Sequence, residues 1–263
     1  MNASRPDLVP DASLERDDME ALQREIAAAA AFEDDFDFDP ATLGDPLAAA
    51  SSADEPPIVA GVDQSFLTDA DGEQDRALSA VVVTQGGEVL ERVHAVTPLQ
   101  IPYIPGLLSF REGAPILDAL EALSVEPDLL LFDGSGRIHF RQAGIATHMG
   151  VVLDVPSVGV AKSLLCGRPR EETENLPAGT RVGIEANSRV DAPDCTLLGY
   201  AVQTRQYDSP NRYINPLYVS PGHRVGPETA ADVALALTSS YKLPEPVRLA
   251  DSYADEAKRG IGE

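Results

Sequence analysis

The chain has 263 residues, 43% of them hydrophobic, so it can bury the core of one large domain or two small ones. No apolar run approaches the roughly 18 residues of a membrane span, and the polar first residues do not resemble a secretory signal, so we expect a cytoplasmic protein that does not interact with membranes. The formal net charge of −23, with only three lysines, suits a surface exposed to molar salt and predicts a halophilic source.

The first 55 residues are especially acidic, with 15 acidic residues and three arginines. Leu14 to Phe32 favours a helix with Ser13 as its N-cap, but the following acidic and aromatic run is typical of a solvated, mostly disordered segment. A segment that docks a partner or mimics DNA is the alternative. We therefore expect an acidic extension over residues 1–55, disordered or partly helical, then a domain over residues 56–255 and a short tail, 256–263.

The domain begins with three predicted strands at 58–66, 77–84 and 88–96. The turn Gly86-Gly87 joins the last two, so the three are expected to form an antiparallel meander. Asp63 lies near the end of the first strand.

A proline-rich loop and a helix follow the meander. Pro102 and Pro105 make the loop stiff and non-helical. The pattern Ser109-x-x-Glu112 is a candidate capping box for a helix that runs to about residue 123. Pro115 competes with it as a first-turn proline, so the start of the helix is left open by one turn.

A buried strand comes next. The apolar run 129–132 predicts a strand covered on both faces, and it ends on Asp133. Gly134 and Gly136 follow, and such small residues let a phosphate backbone come close. An aspartate in this place can hold a divalent cation at the sheet edge, or it can merely start a turn.

The remaining elements are less strongly marked. A helix is predicted at 142–152 and a short strand at 157–161, which ends at Lys162. The later strands are predicted at 182–185, 197–204 and 212–219, and a last helix at 228–239. We expect residues 243–263, which prolines interrupt, to be peripheral.

The order of these elements indicates an α/β fold, a ribonuclease H-like mixed sheet with flanking helices. In that arrangement the first and fourth strands lie side by side at the sheet centre. Asp63 and Asp133 would then face one cation.

Six sequence blocks resemble the endonuclease V family of deoxyinosine-specific repair nucleases. PYIPG followed by SFRE is specific to that family, and so is GVAK before GHRV. The blocks are GVDQSF (61–66), PYIPGLLSFRE (102–112), LLLFDGSGRIH (129–139), GIATHMGVVLDVPSVGVAKSLLCG (144–167), NPLYVSPGHRV (215–225) and YKLPEPVRLAD (241–251). One departure is Ser135, where the family often carries histidine, and the extension has no counterpart in the common family core.

The resemblance implies a catalytic set of five residues. Asp63 and Asp133 would be the principal ligands of Mg²⁺, with Mn²⁺ as its substitute, and Glu112 would be a third carboxylate that binds directly or through water. His223 would be the active-site histidine, with a helix-capping role as its alternative. Lys162 would place a positive charge near the phosphate, and its alternative is a salt bridge to one of the acids. His94 and His148 are expected to be structural.

The resemblance also implies a lesion-recognition region. The loop formed by Pro102, Tyr103, Ile104 and Pro105 would enter the duplex as a wedge, with Tyr103 at its tip. The alternative for Tyr103 is an aromatic packed on the domain. The flipped base would be read in a pocket by hydrogen bonds. Candidates for that pocket are Gly106, Gly134, Gly136 and His139, and a structural role is the alternative for His139.

The implied reaction is hydrolysis of DNA that contains deoxyinosine or another deaminated base. Water would attack phosphorus in line at the second phosphodiester bond 3′ to the lesion, which leaves a 3′-hydroxyl and a 5′-phosphate. One alternative is cleavage of inosine-containing RNA, and another is a lesion-binding module without catalysis. We expect the protein to act as a monomer.

Overall fold

The computed structural model describes residues 1–43, 55–67, 75–209 and 211–261, and the fold is built around a mixed sheet. Its strand order is β3-β2-β1-β4-β5-β9-β8-β7-β6. The strands are β1 (Ile58–Leu67), β2 (Arg76–Gln85), β3 (Glu88–Pro98), β4 (Leu129–Asp133), β5 (Ser157–Ala161), β6 (Arg168–Pro169), β7 (Arg181–Glu185), β8 (Leu197–Val202) and β9 (Leu217–His223). The predicted α/β class with a ribonuclease H-like mixed sheet is confirmed.

Helices cover both faces of this sheet. They are α1 (Arg16–Ala29), α2 (Leu108–Glu121), α3 (Ile145–Leu153), α4 (Pro227–Ala236) and α5 (Glu245–Ile261). Alternate residues of β1 and β4 point to opposite faces, so the strands contribute to two cores. One core packs against α4 and α5, and the other packs against α2 and α3. No helix among the described residues is long and apolar enough to cross a membrane.

The sheet centre has the strand pairing that the sequence predicts. β1 pairs antiparallel with β2 and parallel with β4, and β4 pairs parallel with β5. Val62 pairs with Phe132, so the next residues, Asp63 within β1 and Asp133 at the end of β4, lie side by side. β9 then runs antiparallel to β5.

The N-terminal extension is partly helical, the second of the two predicted alternatives, and it is more ordered than the acidic composition indicates. Residues 1–43 pack against the domain, and α1 buries Met19, Gln23 and Ile26 on one face. The acidic run after α1 is also engaged, because Asp34 accepts hydrogen bonds from Gly226 N and Thr229 Oγ1, both at 2.6 Å, at the start of α4. A carboxylate there is stabilised by the helix dipole. Residues 44–54 of the predicted extension lie outside the described residues.

The C-terminal region corrects a prediction. Residues 245–261 form α5 instead of a peripheral segment, because their apolar residues recur on one helical face and bury Val247, Ala250 and Ala254. Pro246 lies in the first turn, where a proline is tolerated. Residues 262–263 of the predicted tail lie outside the described residues.

Two smaller predictions are also wrong. α2 begins at Leu108, so Ser109 lies inside the helix and does not cap it, and Pro115 is an interior residue. The last strand is Leu217–His223 and not 212–219, because residues 212–216 approach the sheet as a loop.

Candidate active site

Three carboxylates meet where β4 ends beside the middle of β1. Ligand atoms of Asp63, Asp133 and Asp251 all lie within 4.8 Å of one another. The two strands bring the first pair together, and α5 supplies Asp251. Carboxylate oxygens are the ligands that Mg²⁺ prefers, so this donor set fits a divalent cation.

A close approach of α5 to β1 brings Asp251 to this place. A β carbon at Gly61 would lie 2.1 Å from the backbone carbonyl carbon of Pro246, so only glycine leaves room for the start of α5. The helix then runs across β1 and β2. Glycine two residues before Asp63 therefore helps to position a carboxylate that is distant in sequence.

Mutual repulsion is strong in this cluster. Burial and the charge of Asp133 raise the pKa of Asp63 to about 8. Lys162 offsets part of that repulsion, since its Nζ lies 2.6 Å from Asp133 Oδ2 and 3.6 Å from Asp251 Oδ1. Burial by itself lowers the pKa of Lys162, but the bond to Asp133 and the nearby carboxylates outweigh it and raise the pKa. The salt bridge foreseen as the alternative role for Lys162 is therefore present.

Glu112 lies beside the cluster but is not one of its three members. It is 8% exposed on the inner face of α2. Burial is the largest cause that raises its pKa to about 7, Arg111 opposes the rise, and Asp133 adds to it. Gln64 Nε2 donates to the Glu112 carbonyl oxygen at 3.0 Å and so ties α2 to β1.

The structure contradicts the assignment of His223 to the active site. His223 pairs with Ser157 at the start of β5, whereas Asp133 pairs with Val160 near its other end, about 10 Å along the strand. His223 Nδ1 accepts a hydrogen bond from Ala31 N–H, and Nε2 lies 3.2 Å from Asp154 Oδ1. Burial lowers the pKa of His223. Its role is to anchor the N-terminal extension.

A small cavity of about 140 Å³ lies near the start of α2 and the strand ends. Its lining includes two predicted pocket residues, Gly106 and His139, and Tyr103 of the proline-rich loop. The other lining residues are Gln23, Leu108, Ser109, Ser135, Ala143, Gly144, Ile145, Ala161, Ser163 and Leu165. Ser109 is 1% exposed, and its Oγ has no hydrogen-bond partner among the described residues. A buried hydroxyl without a partner is costly, so a hydrogen bond from a ligand in the cavity would stabilise it.

His139 is a fixed, neutral donor at this cavity. Its Nδ1 accepts from Arg141 N–H at 3.2 Å, so its Nε2 carries the proton and donates to the Gly106 carbonyl oxygen at 3.1 Å. Burial, helped by the Arg141 charge, lowers the pKa of His139 to about 3. The side chain therefore holds the loop in place.

Gly134 and Gly136 do not line the cavity. A β carbon at Gly134 would lie 2.6 Å from Ile145 Cγ2, and one at Gly136 would lie 2.3 Å from the Pro221 carbonyl oxygen. These two glycines are needed for close packing of the loop against α3 and β9. The predicted backbone contact of these positions with the lesion stays a prediction, and Ser135, which lies between them, lines the cavity.

Tyr103 has the position expected of a wedge. Its side chain is 61% exposed, which excludes the alternative of an aromatic packed on the domain. Ile104, the next residue, instead faces the protein and packs near Met19 and Phe110. Ile104 thus anchors the loop, while the ring of Tyr103 stays exposed at the rim of the cavity.

A model of the endonuclease V family matches residues 45–252. The chain belongs to the endonuclease V family. It is 58% identical to the Endonuclease V of Haloarcula marismortui over 98% of this chain and 97% of that protein. That relative comes from a halophilic archaeon, in agreement with the predicted source.

Solved structures of the family share the fold. The catalytic domain of human Endonuclease V is 30% identical and superimposes with a TM-score of 0.75 over 94% of this chain and 97% of that one. The family model begins at residue 45, so its match does not include the first 44 residues. Endonuclease V of Ciona intestinalis, in complex with a 24mer DNA that contains an inosine followed by a ribo-adenosine, is 25% identical, with a TM-score of 0.70 over 93% and 98% of the two chains.

Membership of the endonuclease V family makes this protein a nuclease that acts on DNA. Its acidic triad could bind the metal of a metal-dependent nuclease. Sequence reasoning found two members of the triad and missed Asp251. The signal was available, since Asp251 ends the block YKLPEPVRLAD, but a peripheral assignment of that region hid it.

Proposed function

We propose that this protein is a DNA repair endonuclease that recognises deaminated bases, chiefly deoxyinosine. It hydrolyses the second phosphodiester bond 3′ to the lesion and leaves a 3′-hydroxyl and a 5′-phosphate. The observation that carries the proposal is the pairing of an acidic triad with a small cavity beside an exposed aromatic. Family resemblance is the basis for the position of the cut.

Asp63, Asp133 and Asp251 would hold the metal, for which we propose Mg²⁺, and Glu112 would act through a water. When bound, a divalent cation lowers the pKa of water and neutralises phosphate charge. Glu112 has a pKa near 7, which suits a group that accepts a proton from water at neutral pH. Lys162, whose ammonium lies among the acids, would contact the negative phosphate.

Lesion recognition would take place at the cavity. Tyr103 stacks in the duplex where the base leaves it, and the cavity receives the flipped base. The hydroxyl of Ser109 can donate to or accept from the base edge, because no described residue occupies it. Water then attacks the phosphorus in line, opposite the leaving 3′-oxygen.

Cleavage of inosine-containing RNA is a second candidate. The observation that favours it is the ribo-adenosine that follows inosine in the strand bound to the Ciona intestinalis protein. Recognition of the base edge at the cavity does not involve the sugar 2′ position, so the same pocket serves either strand. The DNA and RNA candidates differ in whether the nucleotide next to inosine carries deoxyribose or ribose.

The test is cleavage of a labelled duplex with one deoxyinosine, against a matched adenine duplex and a matched inosine RNA. The assay runs in molar KCl with Mg²⁺ or with EDTA, and the product ends are mapped. We expect a Mg²⁺-dependent nick at the second bond 3′ to deoxyinosine. Cleavage of the RNA alone would exclude the DNA repair assignment, and lesion binding without any cut would favour a binding module.

A further inference from the structure

The extension contributes a residue to the candidate lesion pocket. Gln23 of α1 has no exposed surface and lines the cavity. Its Nε2 donates to the Gly106 carbonyl oxygen at 2.9 Å, and its Oε1 accepts from Arg141 Nε at 2.7 Å. Since the two bonds use the two ends of one amide, they fix its orientation.

Three side chains donate hydrogen bonds to the carbonyl oxygen of Gly106. Besides Gln23, His139 Nε2 lies 3.1 Å and Arg141 Nη2 lies 3.3 Å from its oxygen. Gly106 has a φ of +82°, and a β carbon there would lie 2.9 Å from Phe140 Cδ2. The three donors to its carbonyl oxygen therefore stabilise a left-handed turn at Gly106, and this turn connects the Tyr103 loop to α2.

α1 supports the same region through two further contacts. Glu20 Oε2 lies 3.4 Å from Arg141 Nη1. α1 therefore contacts the Arg141 guanidinium through Glu20, and it also carries Gln23, whose amide oxygen accepts a hydrogen bond from the same guanidinium. Met19 packs in an apolar cluster that includes Ile101 and Ile104 on either side of Tyr103. One face of α1 thus supports both the pocket turn and the loop that carries the exposed ring.

We propose that Gln23 is a positioning residue that holds the Gly106 turn in its lesion-binding conformation before DNA arrives. The inference rests on the proposed function. A preorganised pocket does not have to order its turn when the base enters, and that ordering would otherwise weaken binding. Gln23 then acts on lesion affinity and selectivity, and it leaves the chemical step at the carboxylates unchanged.

The experiment compares wild type with Gln23→Ala in molar KCl. Fluorescence anisotropy in EDTA gives the Kd for an inosine duplex and for a matched adenine duplex, and single-turnover cleavage with saturating enzyme and Mg²⁺ gives the chemical rate. We expect the Kd for the inosine duplex to rise about tenfold, as the loss of one buried hydrogen bond would produce. The Kd for the adenine duplex should not change, and the saturated rate should stay within about twofold.

Two further variants make the result specific. Gln23→Glu keeps the side-chain volume and an acceptor for Arg141 but removes the donor to Gly106, so it should also lose inosine affinity. Arg24→Ala removes an exposed contact to Asp191 from the same helix and should behave as wild type. If Gln23→Ala does not fold, the same measurements on Gln23→Glu test the proposal.

Other outcomes overturn the inference. A merely structural role would reduce the fraction of active protein, so binding capacity and cleavage amplitude would fall while both Kd values stayed constant. An equal loss of affinity for the two duplexes, or no loss, would also contradict positioning. If wild type itself does not favour the inosine duplex, the proposed function fails and the inference fails with it, whereas a selective wild type and an equally selective variant refute only the role of Gln23.

Discussion

Glu112→Gln should remove a pH-dependent destabilisation of the metal-free protein. Burial raises the pKa of Glu112 to about 7 from an ordinary value of 4.5, so the folded state binds the proton more tightly than the unfolded chain. The stability that this protonated carboxyl contributes is complete below about pH 4.5 and is lost as the pH rises through about 7. The difference in pKa corresponds to ~3 kcal/mol.

Urea unfolding in EDTA and constant molar KCl measures this effect. Between pH 4.5 and pH 8 the unfolding free energy of wild type should fall by up to ~3 kcal/mol more than that of Glu112→Gln, because glutamine does not titrate. Glu121→Gln, which changes an exposed glutamate of the same helix, should follow wild type. Identical pH dependence in wild type and Glu112→Gln would refute the reasoning from burial.

Three other variants test separate parts of the site. Lys162→Met should strengthen Mg²⁺ binding about tenfold in calorimetric titration, because the ammonium 2.6 Å from Asp133 Oδ2 no longer competes with the cation. An unchanged Mg²⁺ affinity would count against that competition. Ser109→Ala should weaken binding of an inosine duplex about tenfold in anisotropy and yet raise the unfolding free energy by ~1 kcal/mol, because it removes a buried hydroxyl that has no partner in the described part of the chain. A loss of stability would show that the hydroxyl is satisfied in the free protein. His223→Ala should lose ~1–3 kcal/mol of stability, because it removes the hydrogen bond from Ala31 N–H. Its single-turnover cleavage rate should stay within about twofold of wild type, and a large loss of rate would show that His223 belongs to the active site.

The parts of the site that the sequence predicts are those that depend on strand register. An apolar run that ends on Asp133, and a first strand that carries Asp63, are enough to place two carboxylates side by side once the strands pair in parallel. The rigid loop around Tyr103 is predictable for a similar reason, since prolines restrict its backbone whatever the tertiary contacts are.

The parts that the sequence does not predict depend on tertiary packing. Asp251 reaches the site only because α5 crosses β1 over Gly61, and Gln23 reaches the cavity only because α1 packs against the Gly106 turn. The sequence predicts a helix over most of α1, but the acidic run that follows it has the composition of a disordered segment and gives no sign that the extension packs on the domain. His223 was misplaced because a motif gives a residue type and not the end of the strand on which that residue lies.

The central claim is that three carboxylates form the metal centre of an inosine-directed nuclease, and Asp251→Asn tests it most directly. The measurement is nicking of a deoxyinosine duplex with Mg²⁺ in molar KCl, with binding of the same duplex followed in EDTA. We expect wild type to nick the duplex, and we expect the variant to bind it with a similar Kd and to lose at least about a hundredfold in rate. Nicking by Asp251→Asn at the wild-type rate would contradict the account.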